Sequence, residues 1–83
     1  MVQVKSVNHL KEILNDGDTK DFIIQLNYGL RSSKCVSYDG ENTFYVLNLI
    51  DDTEQELTEA QLMDENLTNI GKAIKQGAFY LES

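Results

Sequence analysis

Residues 33–50, SKCVSYDGENTFYVLNLI, decide the fold of this chain because they hold two alternating segments on either side of a turn signal. The alternation of side chains predicts a strand near 33–38 and another over 43–50. Between them, Asp39 and Gly40 accept the positive φ angles that tight turns between paired strands require. The stretch therefore predicts an antiparallel hairpin.

The strand predicted over 43–50 is apolar on both of its faces. One face carries Phe44, Val46 and Ile50, and the other carries Tyr45, Leu47 and Leu49. Such a strand lies in the middle of a sheet and needs cover on both sides. The helices predicted below carry about enough apolar surface for one side only. We therefore expect either a helix that crosses to the far side or a homodimer with Tyr45, Leu47 or Leu49 in its interface.

Ahead of the hairpin, the sequence predicts a short strand, a helix and a longer strand. Val2 and Val4 alternate with polar residues, which is typical of a very short strand. Ser6 is a favourable N-cap for a helix at 7–15, whose apolar residues recur at helical spacing. A period of two then predicts a strand over 21–28.

After the hairpin, two further helices and a last strand are predicted. Thr58, with a glutamine three residues later, forms a capping box ahead of a helix at about 59–65. Thr68 is the expected N-cap of a helix over 69–76, and residues 78–81 have strand composition. The order (β)αβββααβ predicts an α+β fold, with a mostly antiparallel sheet of about four strands and two or three short helices.

The length of 83 residues predicts a single α+β domain over 1–83 with a thin core. Cys35 is the only cysteine, so an internal disulfide is excluded, and a lone thiol fits a reducing compartment. No apolar run reaches the ~18–20 residues that a membrane span needs. We therefore expect a cytoplasmic protein that makes no contact with membranes.

The side chains that carry catalysis are scarce in this sequence. Cys35 and the single histidine, His9, are the only Cys–His pair available, and both patterns favour packing or surface roles. No serine has the context of a nucleophile elbow. Gly71 and Lys72 lack the rest of a phosphate-binding loop, and we expect Gly71 to let its helix pack closely on the sheet. The sequence predicts no enzyme, no cofactor and no metal.

The net charge of −7 belongs to one segment of the chain. Residues 51–66 contain no Lys or Arg, and their acids are Asp51, Asp52, Glu54, Glu56, Glu59, Asp64 and Glu65. This field repels phosphate backbones, which argues against direct nucleic-acid binding. We expect a solvated acidic loop ahead of the helix, with cation binding as the lesser alternative. The candidate interaction surface is Asp51, Asp52, Glu54, Glu56 and Glu59.

The second half of the chain resembles a group of small uncharacterised bacterial proteins. The runs that carry the resemblance are IDD at 50–52, LTEAQL at 57–62 and TNIGKAIKQGAFY at 68–80. The group comes from gut-dwelling bacteria and their mobile elements, and no activity is attached to it. The resemblance therefore implies a bacterial source and assigns no catalytic or binding residue.

Taken together, these features predict a non-enzymatic protein-interaction domain that binds a protein partner and can self-associate. The alternative is an acidic nucleic-acid mimic or inhibitor that occupies a partner's phosphate-binding groove. A mimic should present its carboxylates in a row along one ridge, whereas a solvated face scatters them. The basic cluster at 31–34 either keeps a solvated edge strand from self-association through its charges or forms a patch that binds an acidic partner.

Overall fold

The computed structural model describes residues 1–25 and 30–82, with residues 30–33 described by their backbone only. Its elements in chain order are β1 (Val2–Gln3), α1 (Val7–Leu14), β2 (Lys20–Ile24), β3 (Leu30–Tyr38), β4 (Thr43–Asn48), β5 (Thr53–Thr58), α2 (Glu59–Leu62), α3 (Ile70–Lys75) and β6 (Phe79–Leu81). The described residues form an α+β fold with one antiparallel sheet and three helices, as predicted. The sheet has six strands, however, and not about four.

The strands lie in the order β1-β6-β2-β3-β4-β5, and every neighbouring pair is antiparallel. The short β1 forms one edge, where Val2 lies opposite Leu81, and β5 forms the other edge. The strand predicted over 21–28 is observed up to Ile24, and residues 26–28 lie outside the described residues. Most side chains of the basic cluster at 31–34 also lie outside the described part of the chain.

The predicted hairpin is confirmed, and it joins β3 to β4. One carboxylate oxygen of Asp39 accepts hydrogen bonds from the backbone N–H groups of Glu41, Asn42 and Thr43 at 2.8, 3.0 and 3.1 Å. These hydrogen bonds, that of Glu41 foremost, lower the pKa of the Asp39 carboxyl. Gly40 has a φ of +85°, which is the conformation that glycine accepts without strain. The turn therefore satisfies its own backbone donors.

Strand β4 ends earlier than predicted, at Asn48. The side-chain oxygen of Asn48 accepts a hydrogen bond from the N–H of Ile50 at 3.0 Å, which turns the chain. Leu49 and Ile50 lie in this turn, with 54% and 82% of their surface exposed. The predicted extension of the strand to residue 50, with Leu49 and Ile50 on its two faces, is therefore wrong.

The acidic segment was expected as a solvated loop, but residues 53–58 form the edge strand β5. Its pairing with β4 runs without interruption from Thr43–Thr58 to Asn48–Thr53. Glutamate and glutamine have low strand propensity, and Leu57 is the single buried residue of β5. Backbone pairing with β4 therefore determines this strand more than its own side chains do.

The helix ends follow local hydrogen bonds. Ser6 caps α1 as predicted, with its hydroxyl accepting from the His9 N–H at 3.1 Å. The capping box of α2 is also present, since Thr58 and Gln61 exchange side-chain and backbone hydrogen bonds at 3.2 and 2.9 Å. Helix α2 ends at Leu62, however, and is shorter than the predicted 59–65.

Thr68 has a different role from the one predicted. The N-cap position of α3 is occupied by Asn69, which makes no side-chain capping bond. The hydroxyl of Thr68 accepts from the N–H of Ile70 at 3.0 Å and donates to the carbonyl of Leu62 at 2.9 Å. Thr68 therefore ties the start of α3 to the end of α2.

A single apolar cluster joins one face of the sheet to all three helices. Its buried members are Val4, Leu10, Leu14, Phe22, Val36, Tyr38, Phe44, Val46, Leu57, Leu62, Ile70, Ala73, Ile74, Ala78, Phe79 and Leu81. Directly opposed residues such as Val36 and Val46, or Phe44 and Leu57, share one face of an antiparallel sheet. Since α1, α2 and α3 all contribute to this cluster, they lie on that face. The crossing helix expected as one alternative is therefore not found among the described helices.

Gly71 allows a close approach, but of α3 to the end of α2 and not to the sheet as expected. A Cβ atom at this position would lie 2.6 Å from the Cα of Met63 and 2.9 Å from its carbonyl oxygen. Both are backbone atoms, so they cannot move aside as a flexible side chain would. The absence of a side chain at Gly71 is a packing requirement.

We predict that Gly71→Ala lowers the free energy of unfolding by about 1–3 kcal/mol, because the added methyl group overpacks a rigid contact. Lys72→Ala is the matched control, since Lys72 is exposed on the same helix and its change should stay within about 0.5 kcal/mol. Urea unfolding monitored by circular dichroism measures both. Equal stability of Gly71→Ala and wild type would contradict the close approach.

Candidate interaction surface

The face of the sheet opposite the helices is here called the open face. It is formed by strand residues that alternate with the core residues, namely Gln3, Asp21, Ile23, Cys35, Ser37, Tyr45, Leu47, Glu54, Glu56 and Tyr80. The register aligns them in rows across the strands: Asp21, Cys35, Leu47 and Glu54 form one row, and Ser37, Tyr45 and Glu56 form another. No described helix covers this face, but Ile23 and Cys35 near its middle are buried, with 5% and 7% of their surface exposed.

Tyr45 and Leu47 lie on the open face of β4, next to the edge strand β5, and both are half-buried. Each lies between a small residue of β3 and a glutamate of β5. Desolvation raises the pKa of the Tyr45 hydroxyl, and the negative charges of Glu56, Asp39 and Glu54 raise it further. The phenol therefore stays neutral at physiological pH, inside an acidic border.

The structure brings together only part of the predicted dimer face. Tyr45 and Leu47 share the open face as expected, whereas Leu49 lies in the turn after the strand. Ile23 and Tyr80, directly opposite each other on β2 and β6, belong to the open face and were missed. The alternation along residues 21–28 already places Ile23 on the opposite face of the strand from Phe22 and Ile24. Which strand would lie beside β2 could not be predicted, because that pairing joins residues far apart in the chain.

The five candidate acids do not converge on one point. Asp51 and Asp52 lie in the β4–β5 turn, and Glu54 and Glu56 share the open-face side of β5. Glu59 lies on α2 and forms an ion pair with Lys11 of α1. Within the described residues, no group of three or more His, Cys, Asp or Glu side chains is arranged to hold a metal ion.

The ion pair between Glu59 and Lys11 links the first two helices. Its side chains are 47% and 31% exposed, so solvent screens the attraction in part. The hydrogen bond that the Lys11 ammonium group donates to Glu59 raises the pKa of Lys11, against the opposing effect of desolvation. Glu59 therefore has a structural partner that Glu54 and Glu56 lack within the described residues.

We predict that Glu54→Gln and Glu56→Gln each change the free energy of unfolding by less than about 0.5 kcal/mol, as at ordinary exposed sites. Glu59→Gln should lower the melting temperature more than either, because it removes the charge that Lys11 pairs with. Thermal denaturation of the three variants measures the difference. Millimolar Ca²⁺ or Mg²⁺ should leave all melting temperatures unchanged, and a rise in wild type alone would indicate carboxylate ligands.

Cys35 lies on the open face with 7% of its surface exposed. Its thiol donates a hydrogen bond to Asp21 Oδ1 at 2.9 Å. Burial raises the pKa of Cys35 to about 11, and the hydrogen bond and charge of Asp21 act in the same direction. A neutral thiol is a poor nucleophile.

His9 is not a partner for this thiol. It lies on α1, which packs on the other side of the sheet, and its Nδ1 accepts the N–H of Lys5 at 3.1 Å. The structure therefore does not bring the Cys–His pair together. Both side chains have local roles in packing and in the start of α1.

We predict that the raised pKa of Cys35 makes stability fall at alkaline pH. The pKa of the thiol is about 11 in the folded chain and 9.0 in the unfolded chain. Its contribution to the free energy of unfolding is therefore complete below pH 9.0 and is lost as the pH rises through about 11. Urea unfolding between these values should show wild type losing about 1–2 kcal/mol more than Cys35→Ala. Native Cys35 should also resist alkylation at pH 8. Parallel pH profiles for the two proteins would contradict the shift.

Comparison with known proteins gives no match: no family model, curated protein or solved structure is significantly similar to this chain. The resemblance to small bacterial proteins stays a prediction. None of the described helices has the length and apolar character to cross a membrane.

Proposed function

We propose that this chain is a non-enzymatic protein-interaction domain that associates through the open face of its sheet. The observation that carries the proposal is the placement of the three described helices on one face of the sheet. On the opposite face, Tyr45 and Leu47 of β4 are half-buried, with no described element over them. Aromatic and aliphatic side chains inside a polar border are typical of protein interfaces.

The size of the open face supports a weak association. Six strands at a spacing of about 4.8 Å span roughly 24 Å across the sheet. The strands average about five residues, or roughly 17 Å at about 3.3 Å per residue, so the face covers roughly 400 Å². This is about half of the ~800 Å² per partner of a standard stable interface. We therefore expect association that depends on concentration and reverses easily.

A homodimer is the simplest form of this association. Two sheets that pack face to face lie about 10 Å apart with their side chains interdigitated, and Tyr45 and Leu47 would lie in that layer. In a two-fold dimer the same patch serves both copies, so no second protein is needed. Leu49, in the turn, would lie at the margin of such an interface.

The acidic nucleic-acid mimic is the second candidate, and a specific observation supports it. Glu54 and Glu56 share one side of β5 and form no ion pair within the described residues. The row is only two carboxylates long, however, because Glu59 pairs with Lys11 and the two aspartates lie in the turn. A surrogate for a phosphate backbone needs a longer regular row, so we favour the interaction domain.

We predict that wild type shows a monomer–dimer equilibrium in sedimentation runs over a roughly hundred-fold range around micromolar concentrations. Leu47→Asp should be monomeric throughout, because burying an unpaired carboxylate in the interface costs several kcal/mol. Gln55→Asp is the matched control, since it adds the same charge to the neighbouring strand on the side away from the open face.

Circular dichroism of both variants distinguishes loss of association from loss of folding. A wild type that stays monomeric at every concentration would overturn the homodimer. Equal weakening by Leu47→Asp and Gln55→Asp would show that charge, and not the open face, controls association.

A further inference from the structure

Strand β5 has a free hydrogen-bonding edge. It pairs with β4 on one side, and no strand in the described part of the chain pairs with its other side. Backbone groups of a strand point alternately to its two sides, so roughly half of the N–H and C=O groups of this six-residue strand face outward. The N–H of Thr58 is already bonded to the Gln61 side chain at 2.9 Å, so the free part of the edge lies before Thr58. Every residue of β5 except Leu57 is exposed. An edge of this kind is a template for another extended chain.

The two edges of the sheet differ in how they are protected. The β1 edge is only two residues long, and the Gln3 side chain donates to the Gly77 carbonyl at 2.8 Å beside it. Strand β5 is longer and regular, with no bulge in its pairing with β4. It also contains no proline or lysine, which commonly block sheet edges. Its only charged residues are Glu54 and Glu56.

These two glutamates disfavour a second copy at the β5 edge. In a continuous antiparallel sheet, directly opposed residues have their side chains on the same face. When two copies of β5 pair about a two-fold axis, this condition requires one residue of β5 to lie opposite the same residue of the other copy. If residue 54 or residue 56 is the central one, a glutamate lies opposite its own copy. If residue 55 is central, Glu54 of each copy lies opposite Glu56 of the other. Like charges directly opposite each other destabilise strand pairing. The edge is therefore open to a strand of different charge.

We propose that β5 accepts an added strand from a partner protein, namely an extended segment with Lys or Arg at every second position. These cations would lie opposite Glu54 and Glu56, which are two residues apart on the same side of β5. Opposite charges in this relation stabilise strand pairs. The backbone hydrogen bonds supply affinity, and the charges select the segment. This inference rests on the proposed role in protein binding but uses the edge of the sheet, not the open face.

The probe is a capped peptide in which lysine and threonine alternate, titrated into the full chain at low ionic strength. One control peptide has the same composition with its lysines in a single block, and a second alternates glutamate with threonine. The alternating lysine peptide should bind at least about tenfold more tightly than the block peptide, because only its cations follow the period of a strand. The glutamate peptide should not bind.

N-methylated peptides test the backbone part of the proposal. One version carries methyl groups on the lysine amides and the other on the threonine amides. In an added strand, the amide groups of one residue type face β5 and those of the other face solvent. The version methylated on the amides that face β5 should lose binding, and the other version should keep it. Outward N–H groups of residues 53–57 should also gain protection from hydrogen exchange when the unmodified peptide binds.

Charge variants of the protein complete the test. Glu54→Lys with Glu56→Lys should reverse the preference, so that the glutamate peptide binds and the lysine peptide does not. Glu12→Lys with Glu65→Lys is the matched control, since it makes the same change in net charge at two exposed positions away from β5. It should keep the preference of wild type.

Three outcomes would each overturn the added strand. These are equal binding of the alternating and block peptides, equal binding of the two methylated versions, and no binding of any peptide. None of them bears on the sedimentation result for Leu47→Asp, which concerns the open face. The failure of one proposal is therefore distinguishable from the failure of the other.

Discussion

The register in which β3 pairs with β4 is the constraint on which the rest of the structure depends. The Asp39 carboxylate closes this hairpin, and the pairing runs from Tyr38–Phe44 to Lys34–Asn48. A slip of one residue would exchange the two faces of β4 and move Phe44 into the open face. In the observed register the rings of Tyr38 and Phe44 stack with centroids 4.5 Å apart. The helices then have one continuous apolar face to cover.

The features that could be predicted are those whose causes are local in the chain. Asp39 and Gly40 specify their turn within a few residues, Ser6 caps its own helix, and Thr58 forms a box with a residue three positions away. The alternation along β4 also separates Tyr45 and Leu47 from the core residues. In each case the partner atoms lie within one turn or one strand, so residue types and spacing carry the information.

The features that were missed depend on contacts between distant segments. Strand β5 has the composition of a loop, and its pairing with β4 makes it a strand. Leu49 looked like a strand residue because it is apolar, but the hydrogen bond from Ile50 to Asn48 ends the strand first. Gly71 was expected against the sheet, and only the packed position of Met63 shows what it contacts. The alternation of side chains on β4 could therefore be predicted, but the pairing that places residues of β2, β5 and β6 on the same face could not.

The pairing of β1 with β6 brings the two ends of the described chain together, with Val2 opposite Leu81. Both ends leave the sheet at the edge that lies five strand spacings, or roughly 24 Å, from β5. A short linker between them would allow circular permutants opened in the turn at 49–52. A surface or fused protein attached at either end would leave β5 unobstructed. The domain can thus be tethered at one edge while the β5 edge stays accessible.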